Sequence, residues 1–294
     1  MSAKKYRVLV AGGERSPGAE VLGALHEAGH FVRAVVGDAQ ALDPELHAMV
    51  DDLRVVDLEQ DPAPEGLCEG MDAVYSSLSL GAYPRWPTPW EIDGEANLAL
   101  VRRAAAEGVA HFLFVSATGG DQLRFEADVA AAREQVVDAI KPLGMRWTVL
   151  RPAGTFAGLK KPFEICRERG TWFVVGGGRT RFNPIHPADL AALVVRSLDD
   201  TSLQGRVLDV GGPEEFTLRQ MGELACEALG RRARVVNIPR GAFGLAATGV
   251  RLYNANLARE MDLIGFLADK DEVLGEKVGE RDLRAYFQQL ALGG

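Results

Sequence analysis

A glycine-rich turn near the start of the chain has the residue types and spacing of a phosphate-binding site. The apolar run Arg7–Ala11 predicts a short buried strand, and the apolar spacing over residues 19–25 predicts a helix. The turn between them carries Gly12, Gly13, Arg15 and Gly18. A glycine turn that leads into a helix directs backbone N–H groups at an anion, so this segment favours binding of a dinucleotide pyrophosphate.

Polar residues that follow the predicted strands are further candidates, because the carboxyl ends of parallel strands face a ligand crevice. Asp38 follows the second predicted strand; it favours the free ribose hydroxyls of NAD, or it serves as a turn residue. Ser77 lies at the end of the fourth strand and would lie beside the nicotinamide half of a cofactor. Ser116 ends the fifth strand and Thr118 comes just after it; both are candidates for the reacting centre, or they cap a turn by bonding to the backbone.

An aromatic, proline-rich segment at 81–90 predicts contact with a flat, apolar substrate. It contains Tyr83, Trp86 and Trp90 beside three prolines, and it should overhang the crevice. A stiff aromatic loop suits a polyketide or another aromatic ring system, with Phe156 as a further contact. The alternative is a loop that packs on its own aromatic rings or on a partner subunit.

His186 is the histidine with the best case for acid–base chemistry, although it also fits a structural role in which it bonds to the backbone. The other histidines lack the spacing of metal ligands, and no metal site is predicted.

The elements that must position these residues alternate between strands and helices. The predicted strands after the first are 31–36, 53–56, 73–78, 111–116 and 147–150, and the predicted helices are 65–69, 92–107 and 128–140. Short apolar strands separated by helices predict an α/β fold, a doubly wound Rossmann parallel sheet covered on both faces.

The second half of the chain predicts a small C-terminal α+β substrate lobe. Its predicted elements are helices 163–169, 187–198 and 217–230 and strands 172–175, 207–210 and 235–238. We therefore expect two parts in the chain: a Rossmann-type nucleotide-binding core at 1–152 and a substrate lobe at 153–294. The lobe packs on the core as one structural unit and contributes partly to the sheet.

Motifs along nearly the whole chain resemble one family. They are the glycine turn, Asp57-Leu58, Gly108-Val109, the run from Trp147 to Arg151-Pro152, the segment Asn183–Ala191, and the helix from Thr217 followed by Pro239. In this order they resemble the NmrA-like, NAD(P)-binding branch of the atypical and extended short-chain dehydrogenases. The resemblance implies NADP or NAD as cofactor, with Asp57, Leu58 and Pro152 among the residues that bind it.

The chain departs from that family at two places. Arg15 replaces the middle glycine of the turn; its guanidinium either binds a phosphate or blocks the pyrophosphate. The family's Tyr-x-x-x-Lys pair should fall within 125–134, which contains neither residue, and Arg133 there cannot release a proton near neutral pH. Ordinary carbonyl reduction by that pair is therefore not expected.

Three functions follow from this combination. The first is an NAD(P)-binding oxidoreductase-like enzyme that acts on a small apolar or aromatic metabolite without the usual pair. The second is a redox-neutral cyclase, isomerase or dehydratase that needs no cofactor. The third is a non-catalytic nucleotide sensor or assembly factor.

The composition narrows the class of partner. The chain has 294 residues, a net charge of −8 and no basic block, which argues against nucleic acid or an anionic membrane. Three widely spaced cysteines suit a reducing compartment, and no apolar run is long enough to cross a membrane. We expect a cytoplasmic monomer or homodimer that binds a small-molecule substrate.

Overall fold

A parallel sheet of eight strands lies at the centre of the computed structural model, which describes residues 4–79 and 87–293. The strands in chain order are β1 (Arg7–Ala11), β2 (Phe31–Val36), β3 (Asp52–Val55), β4 (Ala73–Ser76), β5 (His111–Val115), β6 (Arg146–Pro152), β7 (Trp172–Val175), β8 (Arg181–Phe182), β9 (Arg206–Gly211), β10 (Phe216–Thr217), β11 (Val235–Ile238), β12 (Glu272–Val273) and β13 (Glu276–Lys277). The central sheet has the order β13-β9-β6-β5-β4-β1-β2-β3. The order reverses on the two sides of β1, so the crevice for a ligand lies beyond the carboxyl end of β1.

Helices connect these strands and cover the sheet. They are α1 (Gly18–Glu27), α2 (Pro44–Ala48), α3 (Asn97–Ala106), α4 (Gly120–Leu123), α5 (Asp128–Ile140), α6 (Lys160–Arg169), α7 (Pro187–Ser197), α8 (Leu218–Ala228), α9 (Arg240–Val250), α10 (Ala255–Leu267) and α11 (Leu283–Ala291). Short 3-10 segments lie at Ala39–Ala41, Phe156–Leu159 and Thr201–Leu203, and a π-helical segment, Trp90–Ala96, leads into α3.

Both faces of the central sheet are buried. In β1, Val8 and Val10 belong to the core under α1 and α7, whereas Leu9 and Ala11 belong to the core under α3 and α5. Successive side chains of a strand point to opposite faces, so a strand covered on both sides needs an unbroken apolar run. This is the physical basis of the predicted doubly wound α/β fold, which the structure confirms.

The second half of the chain forms its own core and also extends the central sheet. Phe163, Trp172 and Phe287 lie at the centre of that smaller core. Two small sheets, β10-β8-β12 and β11-β7, belong to the same region. The strands β9 and β13 instead join the central sheet beside β6, in parallel register.

Two of the predicted helices differ in the structure. Residues 65–69 form turns, because Gly66 and Gly70 adopt φ values of +82° and +72°, which end a helix. The predicted helix at 92–107 begins as the π-helical segment and becomes α3 only at Asn97. There the buried Asn97 side chain donates to the carbonyls of Ile92 and Asp93, so carbonyl groups of the wider π turn find a side-chain donor.

Candidate functional site

Three adjoining cavities lie along the carboxyl ends of the central strands. The outer cavity, about 460 Å³, is lined by Glu14, Arg15, Gly37, Asp38, Ala41, Val55, Val56, Asp57, Leu58, Glu59, Ser79, Pro87 and Ile92. The inner cavity, about 210 Å³, is lined by Gly12, Glu14, Arg15, Ser16, Pro17, Ser77, Ser79, Val115, Ser116, Arg133, Pro152 and Thr155. The lobe-side cavity, about 230 Å³, is lined by Ser79, Pro89, Asp93, Ala127, Asp128, Val129, Arg133, Asn256, Arg259, Glu260 and Leu263. The shared lining residues place the inner cavity between the other two.

The glycines of the turn bring the backbone of β1, the start of α1 and the end of β4 into close contact. A Cβ at Gly18 would lie 2.0 Å from the carbonyl oxygen of Gly12, and one at Gly12 would lie 3.0 Å from the nitrogen of Leu78. Gly12 also has a φ of +86°. A Cβ at Gly13 would lie 3.2 Å from Leu22 on α1, so Gly13 packs under the helix and does not line a cavity. The two outer glycines are therefore required by packing.

The N-terminus of α1 faces the inner cavity without a side-chain cap. Its N-cap residue is Pro17, which makes no capping bond. The buried hydroxyl of Ser16 beside it has no hydrogen-bond partner among the described residues. An uncapped helix N-terminus together with an unpaired hydroxyl donor suits a phosphate group.

Arg15 lies at the rim between the outer and inner cavities, and its side chain is exposed. Its carbonyl accepts a hydrogen bond from the nitrogen of Ala19 at 2.9 Å, so residue 15 continues the path of the turn into α1. Because the guanidinium is exposed, it does not fill the cradle formed by Gly12 and Gly18. The residues present thus fit a dinucleotide pyrophosphate.

Carboxylates dominate the outer cavity. Asp38 accepts a hydrogen bond from the nitrogen of Gln40 at 2.9 Å, and Asp57 accepts from the nitrogens of Glu59 and Gln60 at 2.9 Å each. Both aspartates therefore hold turns and line the cavity as well. Leu58 contributes an apolar wall between them. With Glu14 and Glu59 the cavity has four carboxylates against the single guanidinium of Arg15.

Ser116, at the end of β5, belongs to a buried hydrogen-bond network. Its hydroxyl donates to Glu134 at 2.9 Å, and the other carboxylate oxygen of Glu134 accepts from Arg151. Arg151 also donates to Asp121 at 2.8 Å, and this hydrogen bond holds the pKa of Asp121 below its ordinary value. Ser116 lines the inner cavity, but its proton is already directed at a buried carboxylate.

Thr118 lies outside the three cavities. Its hydroxyl donates to the carbonyl of Arg151 at 2.5 Å, and it lines a separate cavity of about 270 Å³ with Asp209 and Leu274. Burial raises the pKa of Asp209 in that cavity. The Thr118 side chain is therefore bonded to the backbone, whereas Ser77, Ser116 and Pro152 line the inner cavity together.

Phe156 belongs to the core of the second half of the chain, the half-buried His186 packs beside it, and neither residue lines the three cavities. His186 is the N-cap of α7, where its Nδ1 accepts from the nitrogen of Ala188 at 3.1 Å, and burial lowers its pKa. Phe156 is 1% exposed and packs edge-on against the His186 ring at 5.5 Å. Both placements correspond to packing and capping.

The predicted aromatic contacts are only partly described. Tyr83 and Trp86 lie outside the described residues. Trp90 is half-buried and begins the π-helical segment, and among the described residues 87–90 it is Pro87 and Pro89 that line cavities.

Arg133 occupies the junction between the inner and lobe-side cavities. Its Nε donates to Asp93 at 2.8 Å, and the side chain of Asp93 is only 1% exposed. Asp93 was absent from the residues singled out in the sequence, since 40 positions separate it from Arg133 and no local pattern joins the two. The sequence signal that could have indicated Asp93 is an acidic residue on the helical face that also carries Ile92, Ala96 and Leu100.

No group of His, Cys, Asp or Glu within residues 4–79 and 87–293 could hold a metal ion. In the same part of the chain, no helix combines the length and apolar character needed to cross a membrane.

The chain is similar in sequence to one protein family and to several reductases, and similar in fold to solved structures. Residues 12–201 match a protein family described as NAD(P)H-binding. The NAD(P)H azoreductase of Xenophilus azovorans is 26% identical over 272 residues, covering 91% of this chain and 89% of that enzyme. The divinyl chlorophyllide a 8-vinyl-reductase of Oryza sativa subsp. indica is 28% identical over 263 residues, but the match spans only 62% of that longer protein. Among solved structures, the NADPH-dependent quinone oxidoreductase QOR2 of Escherichia coli in complex with NADPH superposes with a TM-score of 0.78 at 17% identity, covering 96% of this chain and 99% of the other.

Proposed function

Because this chain belongs to the NAD(P)H-binding family, we propose that it is a reductase that uses NADH or NADPH to reduce a small apolar or aromatic metabolite. Family membership confirms the expected cofactor class, NADP or NAD, and the relatives include a vinyl-reductase and an azoreductase. The observation that carries the proposal is the row of adjoining cavities, which runs from the glycine turn to Arg133 and on to the second half of the chain.

The residues of the outer and inner cavities would hold the dinucleotide. The turn at Gly12 and Gly18 with the Ser16 hydroxyl would take the pyrophosphate, and the outer cavity would take the adenosine half. When bound, a reduced nicotinamide supplies a hydride to an acceptor. The inner cavity, whose lining includes Ser77, Ser116 and Pro152, would hold the nicotinamide next to the lobe-side cavity, where the acceptor would bind.

An apolar substrate is favoured by the lobe-side cavity. Pro89, Ala127, Val129 and Leu263 supply apolar walls, and the charged side chains there are largely paired with one another. Such a wall with few free polar groups is typical of sites for apolar ligands.

The proton for the product would come from water or from a residue other than a Tyr/Lys pair. Helix α5 contains neither Tyr nor Lys along its whole length. The hydroxyl of Ser116 is directed at Glu134, so it supports the shape of the cavity and does not point its proton at a ligand.

We further propose that NADH is the preferred cofactor. The 2′-phosphate of NADPH carries close to two negative charges and would enter a cavity with four carboxylates and one guanidinium. Carboxylates near the ribose instead accept hydrogen bonds from the free hydroxyls of NADH.

The decisive experiment is a calorimetric titration with NADH and NADPH, followed by absorbance at 340 nm with a panel of quinones, enones, ketones and azo compounds. Binding with turnover of at least one acceptor supports the proposal. Binding without turnover across the panel favours a nucleotide sensor. If neither nucleotide binds, the reductase proposal is wrong, and redox-neutral chemistry in the same crevice becomes the better explanation.

A further inference from the structure

We propose that Arg133 binds the carbonyl oxygen of the substrate and stabilises the negative charge that develops there during reduction. This inference rests on the proposed reductase function and assigns to Arg133 the charge-stabilising role that the Tyr-x-x-x-Lys pair has in related enzymes. The substrate class it implies is a neutral conjugated carbonyl compound, a quinone or an enone.

The geometry of Arg133 leaves its donors available. Its Nε is bound to the buried carboxylate of Asp93 at 2.8 Å, and the side chain is 19% exposed. Within residues 4–79 and 87–293, Nη1 and Nη2 of Arg133 have no protein partner. Arg133 lines both the inner and the lobe-side cavity, so its side chain lies where cofactor and substrate would meet. A guanidinium held through Nε is a rigid fork with two parallel donors for an oxygen atom.

The position of Arg133 is also held by helix packing. The π-helical segment that carries Asp93 lies against α5, since a Cβ at Gly94 would lie only 3.4 Å from the Cβ of Ala132. The close approach of the two helices fixes the distance between Asp93 and Arg133. A donor that is prearranged in this way costs little reorganisation when charge appears on the substrate.

The charges around the lobe-side cavity decide between a neutral and an anionic substrate. Asp93 compensates Arg133, and Asp128 compensates Arg259 at 3.0 Å, which leaves Glu260 as an additional negative charge. Among the described residues that line this cavity, a substrate with a free carboxylate would find no unpaired cation. A neutral carbonyl needs no unpaired cation in its ground state: it accepts a hydrogen bond from Arg133 when it binds, and that bond strengthens as negative charge develops on its oxygen, which is the condition for catalysis.

The proposed reduction consumes one hydride and one proton for each substrate molecule. A reduced nicotinamide, when bound, would supply the hydride and be oxidised; addition of that hydride to the conjugated carbon would form a C–H bond and move the π electrons of the conjugated system onto the carbonyl oxygen. The oxyanion, held by Arg133, then takes a proton from water. Arg133 donates hydrogen bonds throughout and supplies no proton to the product.

The test compares Arg133→Met and Arg133→Lys with Arg124→Met, a matched arginine whose partner Asp138 lies on the exposed side of α5. The probes are NADH, 2-methyl-1,4-naphthoquinone as acceptor, and 1-naphthol as a non-reducible oxygen ligand. We expect R133M to lower kcat by about 10²-fold to 10³-fold, the usual cost of losing one donor to a developing oxyanion. We also expect 1-naphthol to bind at least about tenfold more weakly, because a charge-assisted hydrogen bond is lost. R133K should recover part of kcat, and R124M should match the wild type.

Three results would overturn this role for Arg133. One is an R133M variant that keeps the wild-type kcat. Another is an R133M variant whose loss of activity is matched by an equal loss of NADH affinity, because Arg133 would then bind the cofactor. The third is unchanged 1-naphthol affinity. If R133M does not fold, as judged by its Tm, R133K and Asp93→Asn carry the comparison, with D93N expected to lower kcat less than R133M. If the wild type turns over no acceptor of any class, the proposed function itself fails, and this inference fails with it.

Discussion

Lowering the pH is expected to destabilise the protein through His111, whose imidazole lies inside the central sheet. The residue begins β5 and is 1% exposed. Its Nε2 lies 3.1 Å from the hydroxyl of Thr148, and that hydroxyl donates its own proton to the carbonyl of Leu203. Nε2 must therefore carry the imidazole proton, and Nδ1 is a buried nitrogen with no partner among the described residues. Protonation would place a charge and a second N–H where nothing accepts it.

This environment sets the size and sign of the effect. Burial, assisted by the charge of Arg146, lowers the pKa of His111 from 6.5 to about 4. Because the folded pKa lies below the unfolded one, the contribution to stability is complete above the unfolded pKa and is lost as pH falls toward the folded pKa. Between pH 7.5 and pH 5, linkage gives a loss of about 2 kcal/mol from this one residue.

Urea unfolding at several pH values between 7.5 and 5 measures the loss directly. His111→Gln, which keeps a neutral donor for Thr148, should reduce the fall in unfolding free energy by about 2 kcal/mol over that range. The matched control is His26→Gln, the same substitution at an exposed histidine, which should leave the fall in place. An H111Q variant with the same pH dependence as the wild type would show that His111 is protonated as easily in the folded protein as in the unfolded chain, and the argument from burial would be refuted.

Three other predictions concern the glycine turn, the buried pair of Glu134 and Arg151, and the outer cavity. Gly18→Ala should abolish nucleotide binding or folding, because its Cβ would lie 2.0 Å from a backbone carbonyl, whereas Gly241→Ala, with open space around it, should be silent in both calorimetry and Tm. Glu134→Gln should lower the free energy of unfolding, measured by urea denaturation, by roughly 3 kcal/mol, because the buried charge of Arg151 keeps only one charged partner, the exposed Asp121. The control Asp138→Asn removes an exposed ion pair and should lower it by less than about 1 kcal/mol. NADH should bind at least about tenfold more tightly than NADPH, a difference of about 1.4 kcal/mol, and equal affinity would contradict the electrostatic argument for the outer cavity.

The elements of the central sheet could be predicted from short stretches of sequence. The strands Arg7–Ala11 and Phe31–Val36 and the helix Asp128–Ile140 have the predicted bounds in the structure. An apolar run buried on both faces, or apolar residues at helical spacing, depends mainly on neighbouring residues, so such patterns are readable locally. The turns at 65–69 and the π-helical segment were missed, since positive-φ glycines and the buried amide of Asn97 decide them.

The candidate site likewise contains residues that the sequence identifies and partners that only the folded structure brings together. Gly12 and Gly18 could be identified from sequence because their role, close approach of backbone at a turn between strand and helix, is contained in seven consecutive residues. The partners of Arg133 and Ser116 could not, because Asp93 and Glu134 reach them only when helices pack against the sheet and against each other. Local spacing determined which elements form and where a phosphate would lie. The tertiary packing alone decided which charges are paired, which donors stay free and how deeply each is buried, because those quantities depend on contacts between segments far apart in the chain.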